Sequence, residues 1–527
     1  MKSVTQSLPR FLSGLPSVAR HQVTGFKDFF LCVVASILLI LSFPRFNIWL
    51  FAWFGFMPLL LALEGKSKSR AFLLSYLCGF LFWWGIIYWL VHVTFLGTLL
   101  LVSYLALYFG IFGLIIPSAC RRPFVIVLLL VPSVWVILEY IRSHLFTGFP
   151  WALLGYSQYL NLPVIQIADI IGAWGVSFLV MLVNTVAYTM ITRLPEHQKA
   201  GLEQKYLFPI LAIVIVLFYG YYKLYLSPVY QCTSVPVSVS LIQGNIPQEL
   251  KWNPQAKDYI VDKYLKFSSL AAKDEPDLLV WPEAALPAIL EEEPVYFEKV
   301  RDFVVKNKIS LLLGAVAREV EVYHNSAILI DPEKGGLTRY NKLHLVPFGE
   351  YIPLKKALPF LETVVPIGDI APGKEYTIFK IPNPTSQVPN KFAVLICFED
   401  LFPELSRKFR QQGAEFLINI TNDAWYKKTS AASQHLQASV FRAVENRVWL
   451  VRAANTGVSG FIAPSGRISS LVQDRDGRDI FVDGYSTQTI SITRRPLSFY
   501  TLRGDVFPVI CFLFALYGII SPRKKKI

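Results

Sequence analysis

Two kinds of hydrophobic pattern alternate along this chain of 527 residues. Toward both ends, apolar residues continue for lengths that approach the roughly 20 residues a helix needs to cross a bilayer. From about Tyr230 to Arg503, apolar runs are short and separated by polar segments, as in strands and helices that surround a water-soluble core. The pattern predicts membrane helices toward both ends and one large soluble segment inserted before the last of them.

The long apolar stretches predict an α-helical transmembrane bundle of about eight spans. The first two stretches are short and joined by a turn at Pro44, so a re-entrant pair is the alternative to two separate spans. The eight candidates are Phe29–Phe43, Ile48–Leu63, Ala71–Val91, Thr94–Ile116, Phe124–Tyr140, Ile171–Ile191, Leu207–Leu224 and Val506–Ile520.

The soluble segment predicts an α/β domain, because apolar runs such as AVLIC indicate strands buried on both faces. The strand candidates are Val237–Gln243, Leu278–Trp281, Ile309–Val316, Ser326–Ile330, Phe392–Cys397, Phe416–Ile420, Val448–Ala453 and Gly460–Ala463. The helix candidates are Gln255–Ala272, Val295–Lys306 and Ser433–Asn446. The chain is therefore divided into a membrane domain with seven helices at 1–228, a soluble domain at 229–503, and a final helix with a basic tail at 504–527.

Composition and charge support this division. Hydrophobic residues make up 54% of the chain and charged residues 17%, which is too apolar for a soluble enzyme of this length. Lysines and arginines cluster beside the first span, after the second, fourth and sixth, and at the end of the chain. With eight spans all these clusters lie on one side, so both termini are predicted to be cytoplasmic and the soluble segment to lie outside. The net charge of +14 is spread over loops, which argues against a nucleic-acid partner.

Three residues of the soluble segment suggest acyl-transfer chemistry. They are Glu283 in WPEAALP, Lys342 in YNKLHLVPFGE and Cys397 in VLICFED. A cysteine can form a thioester, a carboxylate can take the thiol proton, and an ammonium group can stabilise an oxyanion. Taken singly, each has an ordinary structural explanation, as a core thiol, a strand-end acid or a surface cation.

Other catalytic patterns are weak in this sequence. His324, His344 and His435 stand apart without a metal-binding spacing, and they are interpreted as hydrogen-bonded loop or helix residues. The sequence contains no P-loop and no G-x-S-x-G elbow. Of six cysteines only Cys232 and Cys397 lie in the soluble segment, so a disulfide framework is not expected, although a single bridge between them stays open.

Five motifs together carry a family resemblance. They are QGNIPQELKW at Gln243–Trp252, WPEAALP at Trp281–Pro287, YNKLHLVPFGEYIP at Tyr340–Pro353, CFED at Cys397–Asp400 and TNDAWY at Thr421–Tyr426. The chain resembles the apolipoprotein N-acyltransferases, the membrane-bound branch of the nitrilase (carbon–nitrogen hydrolase) superfamily. The resemblance implies a nitrilase-like αββα sandwich on a transmembrane bundle, in the inner membrane of a diderm bacterium, with the catalytic domain facing the periplasm.

The resemblance also implies a reaction and its partners. A phospholipid, usually phosphatidylethanolamine, gives its sn-1 acyl chain to the cysteine, and the α-amine of a diacylated apolipoprotein takes it as an amide. In this scheme Glu283 is the general base, Lys342 the oxyanion stabiliser and Cys397 the nucleophile, with Glu350 and Glu399 as supporting acids. A structural ion pair or a carboxylate that binds backbone groups is the alternative for Glu350 and Glu399. No cofactor and no metal are implied, and the partners are membrane lipids and the lipoprotein.

The substrate-binding residues follow partly from the resemblance. Trp252 and Trp425 occupy positions that the family uses around the acyl or head-group site, and Phe398 stands where relatives often have tyrosine. Phe360 and Leu361, in the apolar stretch 355–370, are interpreted as a flap over the site. Ordinary packing is the alternative for the two tryptophans and for the flap.

Two other function classes stay open at this point. A membrane-tethered amidase would use the same glutamate, lysine and cysteine to hydrolyse a small polar amide. A lipid-binding protein without catalysis would need none of the three.

Overall fold

The structure is a computed structural model, and it describes residues 17–197, 202–226, 235–333, 335–351, 370–382, 387–492 and 496–520. The chain forms two compact units. The first unit comprises residues 1–142, 177–213 and 508–527, and the second comprises 143–176 and 214–507.

Eleven longer helices are numbered α1 to α11 within the described residues. Their bounds are α1 Ser17–Leu41, α2 Lys68–Ile87, α3 Phe95–Ala119, α4 Phe124–His144, α5 Ala168–His197, α6 Leu202–Tyr221, α7 Lys257–Ala271, α8 Pro294–Asn307, α9 Pro403–Gln411, α10 Ala431–Asn446 and α11 Val506–Ile520. Shorter helical turns include Met57–Leu63, Cys397–Leu401 and Phe499–Arg503.

All eight predicted apolar stretches are helical, although they differ in length. Within the described residues, five helices are long and apolar enough to cross a membrane, and they include most of α2 to α6. The second and eighth stretches form shorter apolar helices at Trp49–Leu63 and Val506–Ile520, and the first lies in the 25-residue helix α1. The number of helices that span the bilayer stays a prediction.

The first unit contains an interrupted helix. At the interruption, backbone groups that have no partner within the helix bond to a side chain instead. Near Phe56 one helical segment ends and another begins, which exposes amide groups that lipid could not satisfy. The Asn184 side chain accepts hydrogen bonds from the N–H groups of Phe56 and Met57 at 2.8 and 3.1 Å, and it donates one to the Ala52 carbonyl at 2.8 Å. One buried amide therefore allows the chain to break its helix in an apolar environment.

Two six-stranded sheets form the centre of the second unit. The strands are β1 Val235–Gln243, β2 Leu278–Val280, β3 Ser310–Glu319, β4 Val322–Ile330, β5 Leu337–Asn341, β6 Phe379–Ile381, β7 Asn390–Ile396, β8 Phe416–Thr421, β9 Leu450–Ala454, β10 Gly460–Ile462, β11 Ile468–Ser469 and β12 Gly484–Ile492. The strand orders are β12-β1-β2-β3-β4-β5 and β11-β10-β9-β8-β7-β6.

Each sheet has a parallel centre and antiparallel edges. Strands β1, β2 and β3 run parallel in one sheet, as do β7, β8 and β9 in the other. The central strands of the second sheet are almost entirely buried, as their continuous apolar sequences predict. All eight predicted strands are confirmed, and the four that were not predicted, β5, β6, β11 and β12, are the four edge strands.

Helices cover the outer faces of the two sheets. The core of the first sheet includes Ile260, Val261 and Tyr264 from α7 and Val300 and Val304 from α8. In the second sheet α9 packs on β7, and α10 packs on β9 and β10, while β1 contacts β9 across the centre. The four layers are helix, sheet, sheet and helix, which confirms the predicted αββα sandwich. The predicted helices correspond to α7, α8 and α10, and α9 was missed.

The segment between α4 and α5 also belongs to the second unit. Arg447, just after α10, forms an ion pair with Asp169 at 2.9 Å, and Glu445 accepts a hydrogen bond from the Ala173 N–H at 3.0 Å. Gly172 has φ +66°, where a side chain would also collide with the Tyr500 ring. These contacts hold Asp169, Gly172 and Ala173 at the edge of the sandwich. All three residues precede the soluble segment in the sequence by many positions.

Candidate active site

Three strand ends supply the residues predicted to carry the chemistry. Glu283 follows β2, Lys342 follows β5, and Cys397 follows β7. Strand ends and the loops that follow them are where α/β folds commonly hold active sites. The fold therefore brings together residues that are far apart in the sequence.

Lys342 lies between two carboxylates in a buried ion-pair cluster. Its Nζ is 3.4 Å from Oε1 of Glu283 and 2.9 Å from Oε2 of Glu350. Burial by itself would lower the pKa of Lys342, but Glu350 and Glu283 outweigh it and raise that pKa above its ordinary value. Lys342 is therefore a permanent ammonium group, suited to stabilise an oxyanion rather than to exchange protons.

Asn325 on β4 joins the two carboxylates. Its Nδ2 donates to Oε1 of Glu283 at 2.8 Å and to Oε1 of Glu350 at 2.7 Å. Its backbone carbonyl also accepts a hydrogen bond from the Lys342 N–H at 2.9 Å. A single asparagine within a strand has no sequence signal for this role, because the register between β4 and β5 decides which residue lies beside Lys342.

Cys397 occupies a strained turn at the end of β7. It has φ +53°, a conformation that non-glycine residues rarely adopt, and a short helical turn begins at this residue. The residue is partly exposed and carries a free thiol. Such a turn presents the sulfur atom at the end of the strand, where a substrate can approach.

The environment of Cys397 keeps its thiol protonated in the resting state. Burial and the Glu283 carboxylate raise the pKa of this thiol well above its ordinary value, while Lys342 and a hydrogen bond with Thr421 act in the opposite direction. The thiolate is the nucleophilic form of cysteine, so a base has to take the proton as the sulfur attacks. Glu283 is a carboxylate whose charge acts on this thiol, and its role as the general base stays a prediction.

Glu399 ties the turn at Cys397 to the loop that carries Lys342. Its Oε2 accepts from the Ile396 N–H at 2.7 Å. Its Oε1 accepts from the Leu343 N–H at 2.7 Å, the His344 N–H at 3.1 Å and the Tyr340 hydroxyl at 2.8 Å. Burial raises the pKa of Glu399 to about 7, and the hydrogen-bond donors oppose that change. Glu399, predicted as a supporting acid, therefore bonds to backbone N–H groups and a hydroxyl that surround the site.

A second buried charge cluster lies behind Cys397. His435 on α10 contacts Asp423 through Nδ1 at 3.0 Å and Asp400 through Nε2 at 2.8 Å, and its Nε2 also lies 3.3 Å from the Cys397 carbonyl. Arg452 forms ion pairs with the same two aspartates at 3.1 and 3.2 Å. Because both ring nitrogens face acidic oxygens, His435 is doubly protonated; burial lowers its pKa, but the aspartates raise it to about 9.

The three histidines are hydrogen-bonded, as predicted, but His324 lies on strand β4, where it pairs with β3, and not in a loop or helix. His324 Nδ1 pairs with the Ala371 carbonyl at 2.9 Å, and His344 Nε2 with the Thr147 carbonyl at 3.1 Å. In the described part of the chain, no group of three histidine, cysteine, aspartate or glutamate residues is arranged to hold a metal ion.

The Glu283 loop is held closely against the first sheet. A side chain at Gly314 on β3 would come within 2.6 Å of the Glu283 Cα, so only glycine allows this approach. On its other side the Glu283 carbonyl accepts a hydrogen bond from Nζ of Lys251 at 2.9 Å. Lys251 is 2% exposed, and sequence reasoning did not single it out, although it lies within the QGNIPQELKW motif.

The residues predicted to bind substrate are found in different environments. Phe398 is buried, and its ring packs against Phe402 at 5.2 Å. Trp252 and Trp425 are 45% and 53% exposed, an arrangement open to an apolar ligand. Phe360 and Leu361, with the rest of the predicted flap, lie outside the described residues. The binding roles of all five stay predictions.

The fold and these residues define a carbon–nitrogen hydrolase of the nitrilase type, and residues 238–498 match the family model described as Carbon-nitrogen hydrolase. Residues 35–186 match the Apolipoprotein N-acyltransferase N-terminal domain. The chain belongs to the apolipoprotein N-acyltransferase family, and the protein is a membrane-bound N-acyltransferase of lipoprotein maturation.

The relatives match most of the chain. The apolipoprotein N-acyltransferase of Geobacter metallireducens is 38% identical over 95% of this chain and 96% of its own length. That of Shewanella oneidensis is 31% identical over 81% of this chain and 80% of its own. Among solved structures, an amidase from Nesterenkonia sp. is 19% identical, covers 52% of this chain and 99% of its own, and has a TM-score of 0.37.

Proposed function

We propose that this protein transfers an acyl chain from the sn-1 position of a phospholipid, with phosphatidylethanolamine as the expected donor, to the α-amine of an S-diacylglyceryl-cysteine at the N-terminus of an apolipoprotein. The transfer proceeds in two half-reactions through a thioester on Cys397. The observation that carries the proposal is the buried Lys342 ammonium between Glu283 and Glu350, beside a cysteine that is held in a strained turn.

The first half-reaction forms the thioester. Cys397 Sγ attacks the ester carbonyl of the phospholipid while Glu283 takes the thiol proton. The carbonyl oxygen becomes an oxyanion, which the Lys342 ammonium stabilises. The C–O bond to the glycerol then breaks, Glu283 returns the proton to the departing alkoxide, and lysophospholipid leaves.

The second half-reaction uses the same groups. The neutral α-amine of the lipoprotein cysteine attacks the thioester carbonyl, and Glu283 takes the proton that the amine loses. Lys342 again faces an oxyanion. When the C–S bond breaks, the sulfur leaves and recovers its proton from Glu283, so the enzyme returns to its resting state with an amide as product.

The domain arrangement that fits this function has a membrane domain at 1–228, a catalytic domain at 229–503, and a final helix with a basic tail at 504–527. In our proposal the protein lies in the bacterial inner membrane, both termini are cytoplasmic, and the catalytic domain faces the periplasm. The distribution of lysine and arginine along the sequence supports this orientation. The acyl donor and the diacylated acceptor then both reach the enzyme from the same membrane.

A trapping experiment tests the mechanism. Purified enzyme given labelled phospholipid without a lipoprotein should release lysophospholipid in a burst and keep one acyl group as a hydroxylamine-labile thioester. Glu283→Gln should slow this step by about 10²–10⁴-fold, because the general base is lost. Lys342→Ala should slow it as well, because the oxyanion loses its cation.

Cys397→Ala should form no adduct, and an adduct that persists in this variant would contradict the assignment of the nucleophile. Addition of a diacylated lipopeptide to the trapped wild-type enzyme should give triacylated product. Release of free fatty acid as the main product would instead indicate a hydrolase.

A further inference from the structure

A second lysine is buried at the proposed active site. Lys251 lies in the segment between β1 and α7, and its side chain is 2% exposed. Its Nζ donates to the Glu283 carbonyl at 2.9 Å. Since an ammonium group is costly to bury, a lysine in this position needs a compensating function or a strong structural reason.

The segment that carries Lys251 is fixed by side chains of the other sheet. Asn455, just after β9, accepts from the Ile246 N–H at 2.9 Å and donates to the Ile246 carbonyl at 2.8 Å. Asn422, just after β8, donates to the Gln248 side chain at 2.8 Å. These three hydrogen bonds hold the segment in place, so Lys251 has a defined position relative to Glu283.

Lys251 and Lys342 differ in what neutralises them. Lys342 is paired with two carboxylates, which compensate its charge before any substrate arrives. The Nζ of Lys251 bonds to a neutral carbonyl, and its charge interacts with the Glu283 carboxylate and with Cys397. Among the residues that the structure describes, the Lys251 Nζ forms no ion pair with a carboxylate, and a buried cation of this kind favours negative charge that develops nearby.

We propose that Lys251 is a second cation of the active site, which positions the Glu283 loop through its carbonyl and stabilises the thiolate that forms at Cys397. This inference rests on the proposed role of Cys397 as the nucleophile. Lys251 is a positioning residue, because it acts through Glu283 and Cys397 and not by contact with the acyl group.

The protonation of Lys251 is consistent with this role. Burial lowers the pKa of Lys251, and the negative charges of Glu283 and Cys397 raise it, with a net value of about 8. The ammonium form is therefore present at neutral pH and is lost as the pH rises through about 8. The support it gives to the thiolate should weaken over the same range.

Several other groups act on Cys397 or on its base, and any pH profile reflects all of them. Besides Lys251, the described groups whose charge acts on Cys397 or Glu283 include Lys342, Asp423 and Tyr426, and Glu350 pairs with Lys342. A comparison between variants at Lys251 alone holds these groups constant.

Alkylation of Cys397 by iodoacetamide measures thiolate formation without any lipid substrate. The rate is followed from pH 6 to 10 by mass spectrometry of the Cys397 peptide in wild type, Lys251→Met and Lys251→Arg. In Lys251→Met the rate at neutral pH should fall about tenfold, and the difference from wild type should shrink as the pH rises through about 8, where Lys251 itself loses its charge. Lys251→Arg should restore most of the wild-type profile, because it keeps the positive charge.

Lys257→Met is the matched control, because Lys257 lies six positions away and pairs with Glu293 at 2.5 Å. Its profile should match that of wild type. Should Lys251→Met fail to fold, Lys251→Gln serves as the neutral variant, since its amide can still donate toward the Glu283 carbonyl.

A neutral variant whose profile overlays wild type would overturn the inference, as would an arginine variant that behaves like methionine. Because alkylation needs neither phospholipid nor lipoprotein, these outcomes leave the proposed acyl transfer untouched. The proposed function has its own test: if the wild-type enzyme forms no thioester in the trapping experiment, the proposed function is overturned.

Discussion

At the scale of single residues, the candidate site combines buried side chains of opposite charge. Glu283 and Glu350 carry two negative charges, and Lys342 and Lys251 carry two positive ones in the same buried region. Burial of unpaired charge is unfavourable, so the opposite charges of this region compensate one another. Asn325 completes this arrangement, because its amide donates to both carboxylates without adding charge.

The role of Asn325 can be tested by a substitution that keeps its shape. Asn325→Asp replaces a shared donor by a third carboxylate, which repels Glu283 and Glu350. We expect acyl transfer at neutral pH to fall at least about tenfold, with partial recovery at lower pH as one of the three carboxyl groups takes a proton. The measurement is the rate of triacylated product formation from pH 5 to 9.

Asn307→Asp on the exposed end of α8 is the matched control, since its side chain bonds only to the Phe303 carbonyl at 2.8 Å among the described residues. An Asn325→Asp enzyme with the rate and pH profile of the control would show that the shared donor is not required.

At the scale of secondary structure, the turn at Cys397 depends on the elements packed behind it. A residue with φ +53° stays in that conformation only when its surroundings fix it. Glu399 fixes the turn from the side of β5, and His435 on α10 fixes it through Asp400 and the Cys397 carbonyl. The proposed nucleophile is therefore positioned by a helix and a loop that lie far from it in the sequence.

The charge of His435 should make stability depend on pH. Its pKa is about 9 in the folded protein and near its ordinary value of 6.5 when unfolded, so its stabilising effect is complete below about pH 6.5 and is lost as the pH rises through about 9. This difference corresponds to about 3 kcal/mol. We expect the thermal midpoint of wild type to fall between pH 7 and 10, and that of His435→Gln to start lower and fall less steeply.

His344→Gln is the control for this measurement. Burial lowers the pKa of His344 to about 4, so this residue is neutral throughout the alkaline range and its replacement should not change the slope there. Parallel curves for wild type and His435→Gln between pH 7 and 10 would contradict a charged His435 in the folded state.

The sequence predicted those strands and helices that contain a long run or a regular repeat of apolar residues. Buried central strands such as β7 and β8 appear in the sequence as apolar runs. The edge strand β12 is mostly half-buried, with polar residues throughout, so it has no such run. Helix α9 was missed because it has nine residues and buries few apolar side chains, among them Leu405 and Phe409.

At the scale of the whole molecule, the strands of the sandwich follow most of the apolar helices in the sequence and precede the last one. The family matches reflect this order, with the membrane-domain match at 35–186 and the hydrolase match at 238–498. Residues 143–176 precede the soluble segment in sequence but belong to the second compact unit. The linear order of hydrophobic stretches therefore does not reveal every residue that supports the sandwich.

The predicted orientation can be tested by labelling. Gly336→Cys lies in the turn before β5, where a side chain has open space, and Ile527→Cys lies at the end of the chain. In a background without other reactive cysteines, a membrane-impermeant thiol reagent should label Gly336→Cys from the periplasmic side only. Ile527→Cys should react only after the membrane is opened, because the basic tail is predicted to be cytoplasmic. Labelling of both positions from the same side would contradict the eight-span model, in which seven spans precede Gly336 and one span separates it from Ile527.

The sequence by itself determined the class of the protein and the residues with the strongest chemical character. Continuous apolar runs are a local property, so the membrane helices and the buried central strands could be predicted without knowing what packs against them. Glu283, Lys342 and Cys397 could be selected because they stand in specific motifs. The roles proposed for these three residues rest on their motifs and on the distances between their side chains in the structure.

Only the tertiary structure decided how these residues are supported. Asn325, Lys251 and His435 are ordinary polar residues in the sequence, and their contacts arise from strand register and from the packing of α10. The left-handed conformation of Cys397 likewise depends on hydrogen bonds from distant elements. The physical reason is that burial, charge pairing and strain depend on neighbours in space, which a pattern along the chain does not specify.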